Sequence, residues 1–229
     1  MITSDGERKY LSAAERVDFE IAMRGQPSDI YLFCHTLLET GCRISEALNL
    51  RRQQLDFSTR RIYFESLKKR RKGIYRGVPI SSRLADMLSA WCGETWHPEI
   101  GRGEPLGLTD QLWTWSRMTG YRYVCAVMKA AKIEGPQASP KGLRHGFAVA
   151  ALEAGVPMHV VQRWLGHSHW ETTAIYADLV GNEERAFASR IWLGDEGVAA
   201  TDFGGIMQTS PQLGIGPAER RAPRKFIGQ

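Results

Sequence analysis

The chain has 229 residues, 43% hydrophobic and 24% charged, with a net charge of +5 at pH 7, a composition that suits one soluble globular domain with appendages. No apolar run approaches membrane-spanning length and the N-terminus, MITSDGERKY, has no signal-peptide core, which points to a cytoplasmic protein without a membrane partner. Cys34, Cys42, Cys92 and Cys125 form no CxxC pair and stand near no histidine at metal-ligand spacing, so free thiols are expected rather than disulfides or a zinc site.

Ser12-Ala-Ala-Glu15 has capping-box spacing and predicts a first helix carrying Val17, Phe19, Ile21 and Ala22. Ser28-Asp29 opens a second helix, with Tyr31, Leu32, Leu37 and Leu38 apolar and Gly41 as its stop. Ile44–Leu50 reads as a short third helix. Arg61–Leu67 and Ile74–Ile80 read as two strands around a basic turn, followed by a helix over Ser82–Trp91. Gly93–Leu108, rich in Gly and Pro, is expected as loop. Further helices fit Tyr121–Ala131, Gly142–Ala154, Pro157–Leu165 with Gly166 at the stop, and Trp170 onward, where Ser168-x-x-Glu171 repeats the capping-box spacing. A final helix fits Asn182–Trp192. Residues 195–229 hold four acids and four bases and show no apolar period, so the positive excess belongs to residues 1–194 and the tail is expected to be disordered. The expected architecture is mainly α with a small antiparallel β-sheet (α+β), one domain over 1–194 and a tail over 195–229.

Within Pro140–Asp178, Arg144, His167 and Tyr176 follow one another at intervals of 23 and 9 residues. A guanidinium matches two phosphate oxygens with its planar fork of donors, and an imidazole can serve a third. A phenol, once deprotonated, is a nucleophile that can be left covalently attached to phosphorus. Arg43, just after the helix-stopping Gly41, offers a second guanidinium; taken alone, it reads as a surface arginine paired with Glu46. Lys68-Lys-Arg-Arg-Lys-Gly-Ile-Tyr-Arg76 places six bases in nine residues, a density suited to tracking a nucleic-acid backbone. Among the seven tyrosines, Tyr31, Tyr63 and Tyr121 read as ordinary core or surface, and Trp113, Trp115, Trp164 and Trp170 read as core.

TGCRISEAL, a basic hairpin, GLRHGFA, LGHS and a tyrosine nine residues past that histidine resemble, in this order, the tyrosine recombinases, or phage integrase family. The resemblance runs from about Leu11 to Trp192 and implies the family's catalytic-domain fold and its pattern Arg…Lys…(His or Lys)-x-x-Arg…(His or Trp)…Tyr. By position it makes Arg43 and Arg144 the phosphate-clamping arginines, His167 the residue between the second arginine and the tyrosine, and Tyr176 the nucleophile. The implied activity is site-specific cutting and rejoining of DNA through a 3′-phosphotyrosyl intermediate, with no cofactor and no metal. A type IB topoisomerase-like DNA relaxation and a non-catalytic DNA-binding accessory role are the alternatives.

The leaving 5′-oxygen needs a proton, and the resemblance draws it from a lysine of the hairpin turn. Aligning RIYFESLK selects Lys68, with Lys69 and Lys72 as alternatives. Lys69, Arg70, Arg71, Lys72 and Arg76 are then expected to grip DNA phosphates. Lys141 stands where many relatives carry histidine; an ammonium stabilises phosphate but accepts no proton unless its pKa is strongly depressed. What deprotonates Tyr176 therefore stays open between His167, water and the phosphate itself, while His145 is expected to orient or pack. His35, His159 and His169 read as structural or exposed. The implied partners are double-stranded DNA, a homotetramer on two DNA sites formed from monomers or weak oligomers, and an accessory DNA-binding protein, acting at the nucleoid. Only about ten residues precede the catalytic fold, so the N-terminal half of the family's DNA clamp is expected to be absent.

Overall fold

In the computed structural model of the chain, which describes residues 4, 6–65, 73–93 and 105–177, the Ser12–Glu15 spacing does what it predicts. The Ser12 hydroxyl accepts from the Glu15 amide at 3.2 Å and the Glu15 carboxylate accepts from the Ser12 amide at 2.7 Å, opening α1 (Ala13–Met23). Its core face is narrower than expected: Phe19 and Met23 are buried, while Val17 and Ile21 are more than half exposed. At about 100° per residue, a pair offset by two from Phe19 and Met23 falls on the opposite side.

The helix α2 (Ser28–Thr40) forms the centre of the fold and packs against α1 and against α3 (Ile44–Leu48), α4 (Ser82–Trp91) and α6 (Pro140–Glu153). It is buried all round from Tyr31 to Leu38, and each fully buried Leu or Phe there contributes about 1.5–3 kcal/mol. Its buried threonines stay satisfied within the helix: Thr36 donates to the Leu32 carbonyl at 2.8 Å and Thr40 to that of Thr36 at 2.6 Å. The helix stops at Gly41, whose φ of +58° is left-handed and whose Cα lies against the Phe147 ring.

The sheet has three strands where two were expected: β1 (Leu55–Asp56), β2 (Arg61–Glu65) and β3 (Tyr75–Pro79), antiparallel in the order β1-β2-β3. Ile62 opposite Val78 and Phe64 opposite Arg76 form the inward face, while Arg61 and Tyr63 face out. Residues 66–72, with Lys68, Lys69, Arg70, Arg71 and Lys72, lie outside the described residues, as do the expected helix Asn182–Trp192 and the tail. Contacts divide the chain into Met1–Glu183 and Glu184–Gln229, and every described residue falls in the first unit.

The later helices are α5 (Arg117–Ala130), α6, α7 (Met158–Leu165) and α8 (Glu171–Ala177). α5 starts four residues earlier than predicted because Ser116 caps it, accepting from the Thr119 amide. α6 starts at Pro140, capped by Ser139, and Gly142 in its first turn is pressed so close to Gln137 that an added Cβ would lie 1.8 Å from the Gln137 carbonyl oxygen. α8 begins at Glu171, where the Thr173 and Ala174 amides donate to the Trp170 carbonyl, so Ser168 is not its cap. Trp113 is core as expected, but Trp170 is 57% exposed. The expected mainly α fold with a small antiparallel sheet is the fold found. No helix among the described residues is long and apolar enough to cross a membrane.

Candidate active site

The left-handed turn at Gly41 places Arg43 at the boundary of α3, three residues before Glu46. The pairing weighed from that spacing is present: Arg43 Nη1 donates to Glu46 Oε1 and the Arg43 amide to Oε2, both at 2.7 Å. Glu46 is also reached from the sheet. Arg76 donates through Nη2 to Oε2 at 2.6 Å and through Nη1 to Oε1 at 3.1 Å. Burial alone would raise the Glu46 pKa, but the hydrogen bonds and charge of Arg76, then the amide and charge of Arg43, hold it below the ordinary carboxylate value.

Arg76 corrects one expectation. It stands in the strand beyond the basic turn, but its side chain points into the fold instead of outward to grip phosphate. Its guanidinium is buried between Glu46, the Phe64 ring at 5.2 Å and the Trp164 carbonyl, to which Nε donates at 2.7 Å. The reason is strand alternation: Ile74, Arg76, Val78 and Ile80 share a parity, and Val78 faces the core. Gly166, which ends α7 with a φ of +67°, leaves room for this guanidinium; a Cβ there would sit 3.1 Å from three Arg76 atoms.

Arg144 emerges from the second turn of α6 and ties together two helix ends. Nη1 donates to the Gly41 carbonyl at 2.8 Å and Nη2 to the Leu165 carbonyl at 2.7 Å. Both acceptors stand at the negative ends of helices, α2 and α7, where a cation is favoured. Burial first, and then the charge of Arg43, lower its pKa to about 10, so it stays charged at neutral pH.

His145, the next residue, points a different way, and its Nδ1 shares a 2.6 Å hydrogen bond with Tyr176 Oη. The sequence reading gave His145 no part beyond orienting or packing. Burial, then Lys141 and Arg144, push its pKa down to about 4. His167 follows Gly166; its ring stacks on that of Tyr176 with centroids 6.4 Å apart, and its Nδ1 shares a 2.9 Å hydrogen bond with Thr173 Oγ1. Burial, then Arg144 and Arg43, push His167 down to about 3, so both imidazoles are neutral at pH 7. Tyr176 is 1% exposed. Burial raises its pKa against the opposing pull of Arg144 and Arg43.

A cleft of about 500 Å³ opens beside this cluster, lined by Arg43, Lys141, Arg144 and His145 together with Arg117 and Tyr121 from the start of α5. Lys141 is exposed on its wall. The structure thus brings together Arg43, Lys141, Arg144, His167 and Tyr176 of the expected set and adds Glu46, Arg76 and His145. Arg117 lay outside the predicted helix and carried no sequence signal, and Tyr121 read only as ordinary core or surface.

Residues 8–183 match the model of the phage integrase family. A tyrosine recombinase of Pseudothermotoga lettingae is 30% identical over 168 residues, covering 72% of this chain and 54% of the relative. The tyrosine recombinase XerC of Mycobacterium tuberculosis is 32% identical over 190 residues, covering 78% and 57%. The chain therefore spans about half the length of these curated relatives. In fold, the catalytic domain of bacteriophage HP1 integrase superposes with a TM-score of 0.59 at 24% identity, covering 84% of this chain and 100% of that domain. The order of the boxes, the assembled cluster and these matches lead to one conclusion: the chain belongs to the phage integrase family.

Proposed function

We propose that the chain is a site-specific DNA recombinase that cuts and rejoins DNA through Tyr176. The observation that carries this reading is the Tyr176 hydroxyl, buried in a cationic cluster whose Arg43, Arg144 and His145 line an open cleft. Arg43, Arg76 and Arg144 surround one carboxylate, Glu46, which leaves two positive charges unbalanced. A phosphodiester brings one negative charge, and the pentacoordinate species formed on attack carries two. The surplus therefore matches the transition state better than the ground state, which is what acceleration requires.

In this reading Tyr176 Oη attacks phosphorus, the P–O5′ bond breaks, and a 3′-phosphotyrosyl link conserves the bond energy for resealing by another 5′-hydroxyl. Arg43 and Arg144 hold the non-bridging oxygens, and each is worth about 2–4 kcal/mol by analogy with an oxyanion-hole donor. His167 adds a donor, Lys141 a cation at the cleft wall, and Lys68, Lys69 or Lys72 of the turn protonates the leaving oxygen. Double-stranded DNA is the substrate, taken up in the cytoplasm at the nucleoid by a tetramer spanning two sites.

The test uses a pool of nicked duplexes randomised across the cleavage position, so that a cleaved strand diffuses away and traps the adduct. Wild type is expected to form a covalent protein–DNA species and Tyr176→Phe none. An adduct in the Phe variant, or its absence from wild type across the pool, refutes the reading.

A further inference from the structure

We propose that His145 accepts the proton of Tyr176 in strand cleavage and returns it on resealing. This deepens the recombinase reading above and rests on it. Three side chains are candidates for the task, and the geometry separates them. Lys141 is exposed on the cleft wall, one turn of α6 before His145, and an ammonium offers donors but no acceptor. His167 is near-parallel to the Tyr176 ring with centroids 6.4 Å apart, and its Nδ1 is occupied by Thr173 Oγ1 at 2.9 Å. His145 alone places a ring nitrogen on the reacting oxygen, Nδ1 to Oη at 2.6 Å, within the range a proton transfer needs.

His145 also stands between the two parts that the reaction must join. It lines the cleft with Arg43, Lys141 and Arg144, and its Nδ1 meets the Tyr176 hydroxyl. Its backbone is carried on α6, whose first turn packs at Gly142 close against the Gln137 carbonyl. Burial, Lys141 and Arg144 keep the imidazole neutral, so one ring nitrogen carries a lone pair in the resting site. A phosphate entering the cleft brings a negative charge that offsets those two cations. The imidazole therefore becomes a stronger base when the substrate is in place.

The step balances within the chain and its substrate. The Oη–H bond breaks and the proton moves to His145 Nδ1, Oη bonds to phosphorus, and the P–O5′ bond breaks. The 5′-oxygen takes its proton from the hairpin lysine. Resealing runs the same bonds backward, with the departing tyrosinate recovering its proton from the imidazolium. This requires the resting His145 to carry its hydrogen on Nε2.

Two measurements test this. The first needs no DNA: ¹⁵N–¹H correlation spectra of the full chain report the His145 tautomer. The Nε2–H form is expected, with the Nδ1 shift moving in Tyr176→Phe; an Nδ1–H form would make His145 a donor to the phenol and overturn the proposal. The second is single-turnover adduct formation on the randomised nicked pool, with oxygen or bridging sulfur at the 5′ leaving position. His145→Gln can still hydrogen-bond the phenol but takes no proton at neutral pH. It is expected to fall as far as His145→Ala, about 10²–10⁴-fold below wild type, with no recovery on sulfur, since a thiolate leaves without a proton. A Gln variant within threefold of wild type, or a deficit cured by sulfur, overturns the proposal. Gln also serves as the test if the Ala variant does not fold. Failure of wild type to form any adduct rejects the recombinase reading instead, and the tautomer still decides the His145 contact.

Discussion

Substituting Arg76 by Met tests the interior of the site. Met has similar length and no charge, so packing is largely retained while three donated hydrogen bonds are lost: two to Glu46 and one to the Trp164 carbonyl. Glu46 stays buried, with its side chain 1% exposed and Arg43 as its remaining charged partner. Removing one member of a buried pair costs about 3–5 kcal/mol, and the surviving Arg43 contacts place the expectation near 3. For a domain of this size that lowers the melting temperature by about 6–12 °C. Urea denaturation at pH 7.5, followed by far-UV circular dichroism, measures the free energy. The double variant Glu46→Leu/Arg76→Met is expected to be more stable than the sum of the singles by about 2 kcal/mol or more, because it removes both members of the buried pair together. A loss under about 1 kcal/mol for Arg76→Met, with additive singles, would refute the burial argument. A surface phosphate contact would give the opposite pattern, with melting unchanged, DNA affinity reduced and the salt slope shallower by about one.

Gly41→Ala is expected to cost about 2–4 kcal/mol, from the left-handed backbone and from a Cβ 2.4 Å from Phe147 Cδ1. It should also slow adduct formation, because the Gly41 carbonyl anchors Arg144; an unchanged melting curve would contradict this. Acidification is expected to destabilise the fold before the carboxylates titrate. His145 and His167 titrate near 4 and 3 when folded, so the unfolded chain, with histidines near 6.5, binds protons first as pH falls. Their stabilising effect is complete above pH 7 and is lost from about pH 6.5 down to 3–4. Two such groups would lose up to about 4 kcal/mol by pH 5, and solvent screening of partly exposed rings reduces this to roughly 2. Equal urea midpoints at pH 7.5 and 5.0 would rule it out.

What the sequence made legible was local chemistry that announces itself at short range. The Ser12–Glu15 box, the Gly41 and Gly166 stops and the Ser82–Trp91 helix all appear as read. The two-residue strand β1 was missed because so short a segment has no period to detect. Arg76 was misread because basic composition drew the eye to charge, although Ile74, Arg76, Val78 and Ile80 alternate as a strand facing the core would. Its burial depends on a carboxylate thirty residues away, which no local pattern reports. His145 escaped for a similar reason. Adjacent helical positions do diverge, but the divergent direction leads to Tyr176, a contact made only once α6, α7 and α8 pack together.

The polar contacts of Arg76 and Arg144 close over long stretches of chain. Arg76 reaches back 30 residues to Glu46 and forward 88 to Trp164, and Arg144 reaches back 103 to Gly41. The hydroxyl that would open a DNA strand belongs to Tyr176, far downstream of Arg43 in the chain. During synthesis, then, a chain still emerging from the ribosome carries its cations without an arrangement and without a nucleophile. For the proposed chemistry the order of the residues would act as a safeguard, since the Tyr176 hydroxyl meets His145 only after α6 and α8 have packed.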